Sequence, residues 1–191
     1  MSHSQAALRR PGTLVAAVAC SVASALAAFA GALVVLTRGR GLAAENIEQL
    51  IRDAPEEVGL RVGTTPAAFR AMSGPLWDGL VDDRSSTLLA RGVLAAVLGL
   101  CLLVFGLYAG QGAVWARVLV TVCAVLAAPM HALVWCDHAP TALLVPTLLA
   151  PAAALAAVVL AWLPPAGRYA AQRKERKRNA AVPQPTGAVS A

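Results

Sequence analysis

The residue types most capable of chemistry crowd into one stretch, His131-Ala-Leu-Val-Trp-Cys136-Asp137-His138. Imidazole, thiolate and carboxylate are all metal-ligand types, and a bound transition metal would bring Lewis-acid or redox chemistry. The spacing argues against one compact site. On a helix, His131 and His138 share a face but stand about 10 Å apart along the axis at 1.5 Å per residue. A further helix or a second copy of the chain would have to complete the ligand set. The plainer reading makes His131 an interhelical hydrogen bonder and leaves Cys136 and His138 at the membrane–water boundary. No metal or cofactor is expected, and no catalytic residue is assigned.

Other polar candidates lie close by. Pro129, Pro146 and Pro151 each remove a backbone donor and can kink a helix. With His131 they are candidates to line a small vestibule open to the outside. Arg91 and Asp137 fall near the outer ends of their helices and are candidates for an ion pair across the bundle. Cys20, Cys101 and Cys123 each sit roughly 10 Å from the inner end of an apolar stretch, in one layer, and read as small packing residues. Cys136 stands alone at the outer face. That placement lacks the paired outer cysteines of four-helix thiol oxidases and argues against that enzyme class.

These residues are positioned by elements whose nature follows from composition. The chain has 191 residues, of which 58% are hydrophobic and 14% charged. Soluble domains carry roughly 25% charged residues. A bilayer core of roughly 30 Å needs about 20 apolar residues of helix to cross it. Four stretches qualify: residues 13–36, 87–109, 118–136 and 141–163. Lipid offers no hydrogen bonds to a backbone, and runs this uniformly apolar are helices, since barrel strands would alternate. The expected fold is therefore all-α, a four-transmembrane-helix bundle. The first stretch is not read as a cleaved leader, although Ala28-Phe29-Ala30 resembles a cleavage site and Ala17-Val18-Ala19-Cys20 a lipoprotein box. Its apolar run reaches Leu36, beyond a leader's usual span of about 7–15 residues. The spans hold no Asp, Glu or Lys in their interiors, which disfavours proton-coupled pumps and exporters that need an embedded carboxylate.

The net charge of +6 maps to topology. Arg9 and Arg10 supply +2, the stretch 168–178 supplies +5, and the remainder of the chain is −1. With four spans drawn, these bases and Arg117 fall on one side, which the positive-inside rule makes the cytoplasm. Residues 1–12, the turn 110–117 and the tail 164–191 are then cytoplasmic; 37–86 and 137–140 are extracytoplasmic. Tyr108, Trp115, Trp162 and Tyr169 land at the inner interface and Trp135 at the outer one, where amphipathic rings prefer to sit. The expected location is the plasma membrane.

The 37–86 loop has no cysteine to staple it and is short for an independent core. Ile47, Leu50, Ile51, Ala54 and Val58 recur at helical spacing. Thr65-Pro66 reads as a cap and helix start, and Ser73-Gly74-Pro75 begins another short element carrying Trp77 and Leu80. Short amphipathic helices against the membrane or the bundle top are expected, as a lid or a partner-binding cap. In the tail, Pro164-Pro165 stops the last span. Arg173, Lys174, Arg176, Lys177 and Arg178 then form a basic cluster suited to anionic lipid. No folded nucleic-acid-reading element accompanies it. Residues from Asn179 onward read as unstructured. Small residues at four-residue spacing (Ser24/Ala28/Ala32, Ala27/Gly31) and Gly99, Gly106 and Gly110 predict close helix approach without proving a dimer.

Gly112-Ala-Val-Trp115-Ala116-Arg117 runs straight into an apolar span, and Leu160-Ala-Trp162-Leu163-Pro164 is followed by Tyr169 and a basic tail. From about residue 88 to 178 the chain resembles a broad group of small four-helix actinobacterial membrane proteins. In that group a "WAR" turn opens the third helix and a "WLP…Y" end closes the fourth. The resemblance implies the same architecture and supplies no catalytic residues. The expected function is a non-enzymatic membrane component binding lipid or other membrane proteins, including further copies of itself. The alternative is a small transporter, channel or permease subunit using kinked third and fourth helices.

Overall fold

The computed structural model describes residues 10–136 and 141–181. Among the described residues six α-helices follow one another: α1 (Gly12–Asp53), α2 (Pro66–Ser73), α3 (Pro75–Gly110), α4 (Val114–Cys136), α5 (Leu144–Trp162) and α6 (Pro164–Ala181). Single 3-10 turns lie at Pro55–Val58 and Thr141–Leu143. No strand occurs among the described residues. Helices α1, α3, α4 and α5 are long and apolar enough to cross a membrane, and they form a four-helix transmembrane bundle. In cross-section α1 lies between α3 and α5, and α4 closes the ring between the same two helices.

The bundle inverts the size order of a soluble core. Leu26, Leu33, Val97, Leu100, Val125 and Val159 point outward, while Ala25, Ala28, Ala124, Ala154 and Ala157 are buried between helices. Lipid solvates a large side chain as well as a neighbouring helix does, so helices associate through close backbone approach instead. The tightest seam joins α1 and α3. A Cβ added at Gly106 would fall 2.5 Å from Ser21 Cβ, and one at Gly110 2.5 Å from Val18 Cγ2. At Gly99 it would meet Ala28 at 3.0 Å. The glycine spacing that a dimer would also use is thus occupied within the chain. Between α1 and α5, the buried Ser24 hydroxyl donates to the Ala150 carbonyl at 2.8 Å. Between α4 and α5, Trp162 Nε1 donates to Thr121 Oγ1 at 3.0 Å.

The region between the first two spans differs from a set of separate short helices. Helix α1 continues past Leu36 to Asp53, and the element begun at Pro75 is the start of α3 itself. Charged residues mark where the hydrocarbon ends, and the helix resumes beyond them after a kink at Gly39. The stretch Leu42–Leu50 is rich in good helix formers, and Leu42, Ala43 and Ile51 face α3 and are buried. Gly39 absorbs the one break, with φ 42° and ψ −118°, a conformation only glycine takes without strain. At 1.5 Å per residue, 42 residues of α1 span roughly 60 Å, about twice the hydrocarbon thickness. The surplus is a two-helix stalk. Pro55 ends α1 at its C-terminus, since the residue before proline is pushed out of the helical region; Ala54 has φ −145° and ψ 62°.

Helix α2 caps the stalk to make a head. Thr65 Oγ1 accepts from the Ala68 amide at 3.2 Å, as the cap at Thr65-Pro66 predicts. Trp77, Val81, Leu42, Ala43 and Ile51 form the head's core, with Phe69 and Leu60 against it. Phe69 meets the Trp77 ring edge-on at 6.2 Å, and the Arg70 guanidinium lies 4.5 Å over that ring. Arg70 also reaches Glu48 at 2.6 Å, and Arg84 Nε donates to the buried Asn46 Oδ1 at 2.7 Å. Arg40 lies 3.2 Å from Asp82 and 3.6 Å from Asp78.

At the opposite end, α5 stops at Leu163, extended before Pro164 (φ −62°, ψ 147°), and α6 turns back beneath the bundle. Its helix runs on through Asn179 to Ala181, beyond the point where the sequence predicts an unstructured tail; alanines there extend the last turn. Leu14, Ala166 and Tyr169 pack together, so the first turn of α1 and the start of α6 lie side by side.

Candidate functional site

At the head end of the spans, all four long helices border a small slot of about 50 Å³. Gly31 of α1, Arg91 and Gly92 of α3, Met130 and His131 of α4, and Pro146 and Thr147 of α5 are among its walls. His131 and Pro146, predicted as vestibule residues, both line it. Pro129 and Pro151 do not. Both sit inside their helices, in α4 and α5, where each deletes a backbone bond. Pro146 acts differently: it occupies the first turn of α5, whose amides have no helical acceptor in any case, so it removes no bond. It packs instead on Gly31, where an added Cβ would be 3.5 Å from the Pro146 ring. Arg91 lies in the same slot; its predicted partner Asp137 lies outside the described residues, as does His138. A volume of this size holds a few waters and is far below the 300–1,000 Å³ typical of small-molecule sites.

No cluster of three His, Cys, Asp or Glu side chains arranged to hold a metal occurs among the described residues. Cys20, Cys101 and Cys123 are free thiols. Cys101 packs against the buried Cys123 in the α3–α4 contact, at the depth the layer prediction implies for both.

The opposite end carries more chemistry. Helix α3 ends at Gly110, and Gln111-Gly112-Ala113 turns the chain into α4, with Gly112 at φ +85°. Any side chain at Gly112 would also approach Tyr169 Cδ1 at 3.4 Å, so this turn is where α6 docks. Arg117, one turn into α4, is 4% exposed, and its guanidinium donates to the Ala166 carbonyl at 2.7 Å. Its Nε has no partner among the described residues. Thr121 donates to the Arg117 carbonyl at 2.9 Å. Sequence reasoning placed Arg117 merely as a cytoplasmic base. The available signal was its isolation inside an apolar helix opposite a Pro-Pro break.

Docking α6 in this way opens a groove of about 500 Å³ between the α3–α4 turn and α6. Tyr108 and Trp115 form its aromatic wall, with ring centroids 5.6 Å apart, and Phe105 braces Trp115 edge-on at 6.2 Å. Arg173 and Lys174 form the facing wall. Arg176 and Arg178 follow on α6 but do not border the groove. Of the five tail bases predicted to meet lipid, two are thereby set apart.

The slot is a packing space at one end of the spans, and the basic groove is an organised concavity at the other. No protein-family model, curated protein or solved structure matches this chain.

Proposed function

We propose that the chain is a non-enzymatic component of the plasma membrane that binds anionic lipid through α6 and another membrane protein through its head. The observation that carries this reading is the head itself. Two span helices continue past the membrane, α1 through a kink at Gly39, pack around Trp77, and leave Met72, Leu76 and Leu80 exposed, at 75%, 63% and 40%. Apolar side chains left in water on a folded projection are characteristic of interaction surfaces. The basic balance of the termini orients the head outward and both termini to the cytoplasm. The alternative, a small transporter or permease subunit, would use the slot beside Arg91 and His131. That space admits waters and nothing larger without rearrangement.

Purification in mild detergent tests the reading. A stoichiometric membrane partner, lost on Leu76→Glu with the bundle still folded, is the expected result. Solute flux through liposomes containing this chain alone would overturn it in favour of the transporter.

A further inference from the structure

We infer that the groove between the α3–α4 turn and α6 is a defined binding site for the phosphate-bearing headgroup of an anionic phospholipid. This rests on the lipid-binding reading of α6 and narrows it from a diffuse basic tail to one built site. Three observations carry it. First, the groove is mixed in character, aromatic on the α3–α4 side and doubly cationic on the α6 side. Neither Arg173 nor Lys174 is paired with a carboxylate among the described residues. Second, its position matches a lipid's own layout. Tyr108 and Trp115 are half-exposed at the end of the spans, the depth at which such rings meet the glycerol and headgroup region, and the bases lie just beyond them. Third, the site is held in place. The Arg117–Ala166 hydrogen bond and the buried Tyr169 fix α6 against the turn, so the two bases stay opposite the rings. The volume of about 500 Å³ suits a headgroup, which a guanidinium engages through paired hydrogen bonds and an ammonium as a point charge.

A diffuse tail and a built site make different predictions. In a diffuse tail every base contributes alike, by about fivefold each near an anionic surface. In a built site, position decides. The test titrates the full chain in neutral detergent with short-chain phosphatidylglycerol and counts bound lipid by native mass spectrometry. Phosphatidylcholine of the same chain length and inorganic phosphate serve as comparison probes. The expected result is preferential retention of phosphatidylglycerol, weakened roughly 30-fold by Arg173→Gln with Lys174→Gln, from two such contributions. Arg176→Gln with Arg178→Gln should change it less than about threefold, and Trp115→Ala should weaken it without altering helix content. Equal losses from the two double variants would overturn the groove while leaving lipid binding by the tail standing. No preference for phosphatidylglycerol over phosphatidylcholine would overturn both. Displacement by millimolar inorganic phosphate would make this a free-phosphate site and overturn the lipid assignment.

Discussion

Single residues differ widely in what they contribute, and size matters more than polarity in this bundle. The Ser24–Ala150 hydrogen bond is short and buried, yet interhelical hydrogen bonds in membranes average about 0.6 kcal/mol, because the separated helices also find partners. Ser24→Ala should therefore lower stability by about that amount, read as a small shift in an unfolding titration in mixed micelles. Gly106→Val should cost more. Its Cβ would overlap Ser21 on the facing helix, and forcing extra carbon into a tight interface costs about 1–3 kcal/mol. If the two variants proved equal, the glycine seam would not be the main determinant of the α1–α3 contact. The glycines were legible in the sequence as close-approach positions. Their partner was not, because small-residue spacing specifies a short distance and leaves open which helix supplies the other surface.

Two elements behave differently from what their local sequence implies. The head and the spans share helices α1 and α3, and the head's core around Trp77, which is 7% exposed, runs down to Val35 and Leu88 at the end of the spans. Trp77→Ala should remove about 3–5 kcal/mol from that core. Limited proteolysis should then cut between residues 37 and 86 while the span helices remain protected. Protection of the head in this variant would show that the salt bridges of Glu48 and Arg40 hold it alone. Such exposed pairs usually contribute under about 1 kcal/mol each. Helix α6 depends on Arg117 in a similar way. In Arg117→Leu the Ala166 carbonyl loses a charged donor, at a cost of about 1.5–3 kcal/mol, and Leu cannot reach it. Trypsin should then cleave at Arg168 and Arg173 faster than in the parent chain. Unchanged cleavage would mean that Tyr169 and Ala166 suffice to dock the helix. Sequence periodicity puts Ile47, Leu50 and Ile51 on one face but ends the first span at Leu36 and makes that face a separate short helix. Charge reports the membrane boundary and Gly39 kinks the helix beside it, but only the packing of Leu42, Ala43 and Ile51 with Trp77 and Val81 of α3 shows that α1 continues beyond.

At the scale of the whole molecule, four spans put the start of α1 and helix α6 at the same end as the turn into α4, with the head at the other. The positive-inside assignment is tested by a Val62→Cys reporter in a chain whose own cysteines are replaced by alanine or serine. A membrane-impermeant maleimide should label it in intact cells, and labelling only after lysis would reverse the orientation. What the sequence by itself determined was the number and position of the spans, because apolar length against a bilayer of known thickness is a one-dimensional constraint. The same applies to the cap at Thr65-Pro66 and the stop at Pro164, which act on their own backbone. The tertiary structure alone decided that His131 and Pro146 share a slot with Arg91 while Pro129 and Pro151 do not. It also decided that Arg117 is buried and that two of the five tail bases face a pair of rings. Those facts depend on the rotation of each helix about its axis and on where α6 folds back. Both are set by side chains distant in sequence interlocking, Gly106 with Ser21 and Gly112 with Tyr169, which no local pattern encodes.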